Sequence, residues 1–237
     1  MNARYWTWML VWVVGSFLIL DGCNTVLPDS NRARSMEIAM AEENENFSEL
    51  SMAADARIEG EKLVVEYTVR NKTDQNIYLF DQMVAYDGNV PVVDQDTAYC
   101  FFEEPNTLRL VRATLRLPLE KEVRVQEIPF ARAVPPRGEV TGKIQLKLPV
   151  VEKSAFYAPP KEETSKEVEC RRVRLLVGWT RPHEGMTIAE VEAGGVKALR
   201  IRGAWPPPYQ RFLEQKFDLP VKVLMHTDVF DRQMPLQ

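Results

Sequence analysis

The sequence predicts a mainly β protein, an antiparallel β-sandwich that follows an N-terminal signal helix and a flexible tether. Three observations carry this. Apolar and polar residues alternate with a period of two in many short runs after residue 50, the pattern of half-buried strands. Pro- and Gly-bearing turns separate those runs, as in sandwiches. No repeat of 20 to 50 residues is visible, which sets solenoids and propellers aside. The 237 residues are 45% hydrophobic and 27% charged, the balance of an ordinary globular chain rather than a disordered or polytopic one.

The elements read as follows, from the N-terminus. Residues 5–20, from Tyr5 to Leu20, carry no charge and follow Arg4. As a helix they span about 24 Å, short of the ~30 Å hydrocarbon core, so residues 1–22 read as a cleavable signal rather than a spanning helix. Trp6, Trp8 and Trp12 fill its apolar body. Residues 23–49 hold Pro28-Asp29-Ser30-Asn31 and the acidic run 41–46, and read as a spacer, with a short helix around 33–43. From 50 to 237 the strand pattern takes over. Leu63, Val65, Tyr67 and Val69 alternate with Val64, Glu66, Thr68 and Arg70. A turn at 71–76 leads into Ile77-Tyr78-Leu79-Phe80, and Asp87-Gly88-Asn89 is a second turn. Further runs are 98–102, 107–112, 123–125, 144–148, 168–179 and 221–225. Tyr209 to Lys216, after the rigid Pro206-Pro207-Pro208, is the one late segment that reads as a helix. Pro149, Pro159-Pro160 and a Lys/Glu-rich run make 150–167 either a loop between strands or a point of subdivision.

Directly against the apolar run stand Leu20-Asp21-Gly22-Cys23. This resembles the Leu-x-Gly-Cys lipobox of bacterial lipoproteins. Leu20 matches the position three before the cysteine, Gly22 the last residue removed and Cys23 the residue that receives the lipid. Asp21 departs from the small uncharged residue usual there. The resemblance implies diacylglycerol and an amide-linked acyl chain (palmitate-type) on Cys23. At ~0.8 kcal/mol per buried CH₂, two or three chains hold such a protein at the membrane. Asn24 follows, not the Asp that retains such lipoproteins in the inner membrane, which implies the periplasmic face of an outer membrane. Residues 69–77, a strand-turn-strand unit, resemble the paired strands of immunoglobulin-like envelope proteins and are similar to the BsuPI type of bacterial proteinase inhibitor. That resemblance implies an Ig-like sandwich and supplies no inhibitory loop.

Chemistry is sparse. Thirty basic residues against thirty-four acidic give a net charge of −4, without the basic excess that a nucleic-acid partner requires. Three cysteines and two histidines are present. With Cys23 lipidated, Cys100 and Cys170 remain, both in predicted strands. In an oxidising compartment they read as a bridge closing a loop of about 70 residues, worth roughly 4 kcal/mol, or else as two buried thiols. His226 and Asp228 share a strand face, and Asp87, Asp94 and Asp96 offer oxygens. Neither set has metal-site spacing, so no metal or cofactor is expected. No Gly-x-Ser-x-Gly, Ser-x-x-Lys or His-Glu-x-x-His motif occurs. Glu103-Glu104 are neighbours pointing to opposite strand faces, and Gly194-Gly195 reads as a turn. Asn71-Lys72-Thr73 and Asn46-Phe47-Ser48 match glycosylation sequons without meaning in a bacterial envelope.

Two segments offer an interaction surface. Gly203 to Tyr209 sets Trp205 and Tyr209 around three prolines, a stiff element that cannot be an interior strand. Its rings either anchor a partner or fold back over the core. Arg109, Arg112 and Arg116 form either a basic patch or the solvated positions of a sheet. The expectation is a non-catalytic lipoprotein, tied to the membrane through Cys23, that binds or supports another envelope component. The alternative is a periplasmic hydrolase or protease inhibitor whose site is assembled from residues distant in sequence. A buried polar constellation would favour the enzyme, and an exposed apolar patch the binding protein.

Overall fold

The computed structural model describes residues 49–103, 105–115, 128–156, 161, 164–203 and 209–227. The signal, Cys23 and the tether up to residue 48, the run 123–125, Glu104, Arg116, Trp205 and Asp228 lie outside them. Among the described residues, fifteen strands follow one another: β1 (Leu50–Glu59), β2 (Lys62–Asn71), β3 (Ile77–Asp87), β4 (Val90–Asp94), β5 (Tyr99–Glu103), β6 (Thr107–Arg112), β7 (Phe130–Val134), β8 (Glu139–Lys147), β9 (Val150–Val151), β10 (Ser165–Cys170), β11 (Arg172–Thr180), β12 (Thr187–Ala193), β13 (Val196–Arg202), β14 (Arg211–Phe217) and β15 (Val221–His226).

They form a β-sandwich. One sheet is β1-β2-β8, a second is β10-β15-β9, and the largest runs β12-β13-β7-β3-β11-β6-β5 with β14 on β11 and β4 on β3. Alternation places the core. Leu63, Val65, Tyr67 and Val69 of β2 point inward and meet Val173, Leu175, Val177 and Trp179 of β11, together with Val221 and Val223 of β15. Burying each such side chain stabilises the fold by about 1.5–3 kcal/mol. β11 is central, and of its nine residues only Arg172 is exposed. That near-continuous apolar run is the mark of a strand covered on both faces. Ile144 before 150–167, Val150 at its start and Cys170 after it enter the same core.

The turns behave as the sequence reads. Asn71 is buried and organises the β2–β3 turn, its Nδ2 donating to the carbonyls of Gln75 (2.7 Å), Val134 and Pro135 (3.1 Å each) while its Oδ1 accepts from the Thr73 amide (2.9 Å). Gly88 and Gly194-Gly195 close their hairpins at positive φ.

Three expectations change. Residues 211–217 are a strand, not part of a helix, because pairing with β11 from Val173↔Phe217 to Trp179↔Arg211 overrides local helix propensity. The run 168–179 is two strands broken at Arg171, whose amide donates to Asn106 O at 2.9 Å. β10 pairs with β15 and β11 with the large sheet. Finally, β6–β11 and β9–β15 are parallel pairs in an otherwise antiparallel fold. Alternation reports which face is buried, not the direction of the neighbouring strand.

Candidate functional site

Between the β1-β2-β8 sheet and the large sheet lies an open cavity of about 790 Å³, within the size range of small-molecule sites. Tyr67, Asp81, Gln82, Arg112, Arg132 and Gly142 line it. Each arrives from a different piece of local structure.

Tyr67 is on the inward face of β2 and 2% exposed. Its cross-strand neighbour is Gly142 of β8. A Cβ at 142 would overlap the phenol ring, so the glycine makes room for the tyrosine to lie across the strand. Asp81 and Gln82 are consecutive, and in a regular strand they would face opposite ways. A bulge in β3 changes this. Leu79 pairs with Arg132 and Gln82 with Phe130, so Phe80 and Asp81 together oppose the single residue Ala131. Leu79 joins the main core and Phe80 the opposite face, and after the bulge both Asp81 and Gln82 border the cavity.

Arg112, at the end of β6, is 2% exposed. Its Nε donates to Thr97 O (2.9 Å), Nη1 to the Tyr67 hydroxyl (3.0 Å), and Nη2 to Lys143 O (2.7 Å) and Gln95 O. The Tyr67 hydroxyl in turn donates to Asp81 Oδ2 at 3.0 Å. Arg132 Nη2 pairs with the same carboxylate oxygen, and its Nη1 donates to Thr141 O at 2.8 Å. The guanidinium of Arg112 also sits 5.7 Å from the centre of the Tyr67 ring. Burial pushes the Tyr67 phenol above its ordinary range and the Asp81 charge adds to this, against the two arginines. Its proton is therefore held between Arg112 and Asp81 through the physiological range.

The cluster leaves atoms without a partner. Asp81 Oδ1, Gln82 Oε1 and Arg132 Nε are buried and make no hydrogen bond. Buried polar atoms are nearly always paired, which sets these three apart within the cluster. Beside this cluster, Arg57 holds the cavity-lining Glu66 and Asp55 together with Glu59, and its bond to Glu66, with one from Lys143, keeps the Glu66 carboxyl below its ordinary range.

The residues singled out from sequence fall elsewhere. Cys100 and Cys170 are separate buried thiols, which corrects the expected bridge. They stand on strands of different sheets, Cys100 opposite Leu110 on β6 and Cys170 opposite Val221 on β15. The Cys100 thiol donates to Ala98 O at 3.4 Å. Burial pushes Cys100 up to about 12 and Cys170 to about 11, the setting of inert structural thiols. Beside them the buried Glu152 accepts from the amides of Phe102 (2.8 Å) and His226 (2.6 Å), stitching β5 to β15.

Tyr209 is exposed and packs on His183, ring centres 4.3 Å apart; Trp205 lies outside the described residues. Arg109 and Arg112 form no basic patch. Arg109 reaches Glu103, which Arg174 also binds, whereas Arg112 is buried on the other face. Among the described residues no three His, Cys, Asp or Glu side chains gather as a metal site. A second, apolar depression of about 330 Å³ is bordered by Val84, Tyr86, Pro91, Ile128, Phe130 and Ile201, with Tyr86, Val90 and Ile128 exposed.

The sequence did carry a sign of Arg112. Leu108, Leu110 and Arg112 are spaced by two, so the arginine shares the face of two core leucines. Asp81 carries the same sign, two residues on from Ile77 and Leu79 of the main core, whereas regular alternation would put Gln82 with Tyr78 and Phe80, and only the bulge brings it to the cavity. No protein family, curated protein or solved structure matches the chain, so the functional reading rests on its own residues and geometry.

Proposed function

We propose that this protein is an envelope lipoprotein whose β-sandwich binds another envelope component in the cavity between its sheets, the lipid on Cys23 holding it at the membrane. The observation that carries the binding reading is the open cavity of about 790 Å³ between the sheets, lined by Asp81, Gln82, Arg112 and Arg132. The anchoring reading rests on Leu20-Asp21-Gly22-Cys23 directly after the apolar run, with 26 residues (24–49) between the cysteine and the first strand at Leu50. That spacer is long enough to hold the fold clear of the lipid surface. Metabolic labelling with a palmitate analogue tests the anchor. The wild-type protein takes up label and fractionates with membranes, and Cys23→Ser takes up none. Label-free wild-type protein with an intact Met1 sinks the proposal.

A second reading, a hydrolase with a site assembled from residues distant in sequence, draws on the same buried Tyr67–Asp81–Arg112–Arg132 cluster. Against it, the groups best placed for proton transfer are already bound to one another. The exposed Tyr209 is the described remnant of the proposed partner-facing loop.

A further inference from the structure

We propose that the apolar depression beside β3, β7 and β13 binds a free fatty acid, its single acyl chain in the pit and its carboxylate between Arg200 and Arg202. This site is separate from the cavity between the stacked sheets, and its occupancy depends neither on that cavity nor on the lipid anchor.

The pit is the open end of a small curled lobe. β4 pairs with β3, β3 with β7, β7 with β13 and β13 with β12, and β12 comes back against β4. The inner face of this curl holds Val84, Phe130, Ala193 and Ala198, with Val93 and Val191 packed on them. One end is shut, since a Cβ at Gly194 would stand 2.9 Å from the Val92 side chain. The other end is the depression of about 330 Å³, at the small end of the range for ligand sites. Its walls are accessible. Tyr86 and Ile128 are exposed, and Pro91 and Ile201 are partly so.

Charge selects the head of the ligand. Arg200 and Arg202 are exposed and border the same pit. Alternation puts them on the face of Ala198, roughly 7 Å apart along the strand. The Arg200 guanidinium lies 5.5 Å from the centre of the Phe130 ring, at the edge of the apolar surface. The acids of this lobe point away. Glu190 and Glu192 stand opposite Leu199 and Lys197, on the face that Leu199 shares with Tyr78 and Phe80. Asp87 follows Tyr86 in β3 and takes the other side of that strand. Among the described residues neither arginine has a carboxylate partner. Two free guanidiniums beside an apolar pit fit an amphiphile with an anionic head, which gains charge-assisted hydrogen bonds there.

Shape selects the tail. A peptide would carry amide groups into walls made of apolar side chains, where they lose water without gaining partners. An acyl chain carries none. A bilayer covers protruding apolar groups, whereas a concave pit with one closed end suits a single chain.

Photolabelling of the full chain in phosphatidylcholine nanodiscs tests this, with a diazirine-bearing decanoate as the probe and mass-spectrometric peptide mapping as the readout. The expected result is label on the peptides of Tyr86 or Ile128 that excess decanoate removes and decyltrimethylammonium or acetate does not. The Arg200→Gln, Arg202→Gln double variant, changed at exposed positions only, should lose at least fivefold of this label with an unchanged unfolding midpoint. Ile128→Asp keeps both arginines but sets a carboxylate in the mouth, and should lose at least as much. Label spread over the chain, equal displacement by decyltrimethylammonium, or label that both variants leave unchanged overturns the proposal. Two other occupants would also overturn it. Labelling of the pit by a photoreactive phosphatidylglycerol of the disc in place of the free acid would make it a bilayer contact. Crosslinks from Tyr86 or Ile128 to a second chain would make it an interface between copies.

Discussion

At the scale of single residues, the site depends on a pair that sequence spacing alone does not join, Tyr67 and Gly142. They face each other across β2 and β8, and the ring occupies the volume a side chain at 142 would need. Gly142→Ala is therefore expected to cost about 1–3 kcal/mol as the ring is pushed off its bonds to Asp81 and Arg112. A urea unfolding curve decides it, and an unchanged or raised midpoint would show the ring is free to move. Tyr67 itself is legible beforehand, since its alternation with Val65 and Val69 turns it inward. Arg112 is half legible. The spacing from Leu108 and Leu110 puts it on the buried face, but an arginine there is tolerable only because three carbonyls from other segments receive it.

At the scale of elements, β14 and the bulge in β3 show how pairing decides what local pattern leaves open. Gln210, just ahead of β14, uses its side-chain amide as a strand residue uses its backbone. Its Oε1 accepts from Thr114 N at 3.0 Å and its Nε2 donates to Thr114 O at 2.9 Å. Gly178 makes the approach possible, because a Cβ there would stand 2.7 Å from Ala113 Cβ and 3.0 Å from the Gln210 oxygen. Gln210→Ala strips both partners from the buried Thr114 and is expected to lower stability by about 1–3 kcal/mol. Hydrogen exchange at the Thr114 amide checks the mechanism: it should accelerate in the variant, and equal protection would mean another group takes over. The bulge has the larger functional consequence, since without it Gln82 would not border the cavity that Asp81 enters.

At the scale of the whole molecule, three buried acids keep their protons in the fold. Burial raises Cys100 to about 12 and Cys170 to about 11 from an ordinary 9.0, and raises Tyr67 from an ordinary 10.0. The sign follows from proton counting. Above about pH 9 the unfolded chain releases protons that the folded chain retains, so stability is whole below that pH and declines as pH rises. Unfolding midpoints measured from neutral pH upward should fall from about pH 9, and the Cys100→Ala, Cys170→Ala double variant should show a shallower alkaline limb. An equally steep limb in that variant would rule the thiols out as its source.

What the sequence determined by itself is the class of the fold and the inward face of its clearest strands. Both follow from a period of two that any half-buried strand must obey, whatever its neighbours. The same holds for the turns at 71–76 and 87–89, where the backbone chemistry of Asn and Gly is local. The tertiary structure alone decided which strands became neighbours, two of them in parallel, that 211–217 extends along β11 instead of coiling, and that Cys100 and Cys170 remain thiols in separate sheets. It also decided the candidate site. Tyr67, Asp81, Arg112 and Arg132 are spread over 66 positions of the chain (67–132), and no local rule joins them. They meet because two sheets stack, and one bulge brings Gln82 to the same cavity as Asp81.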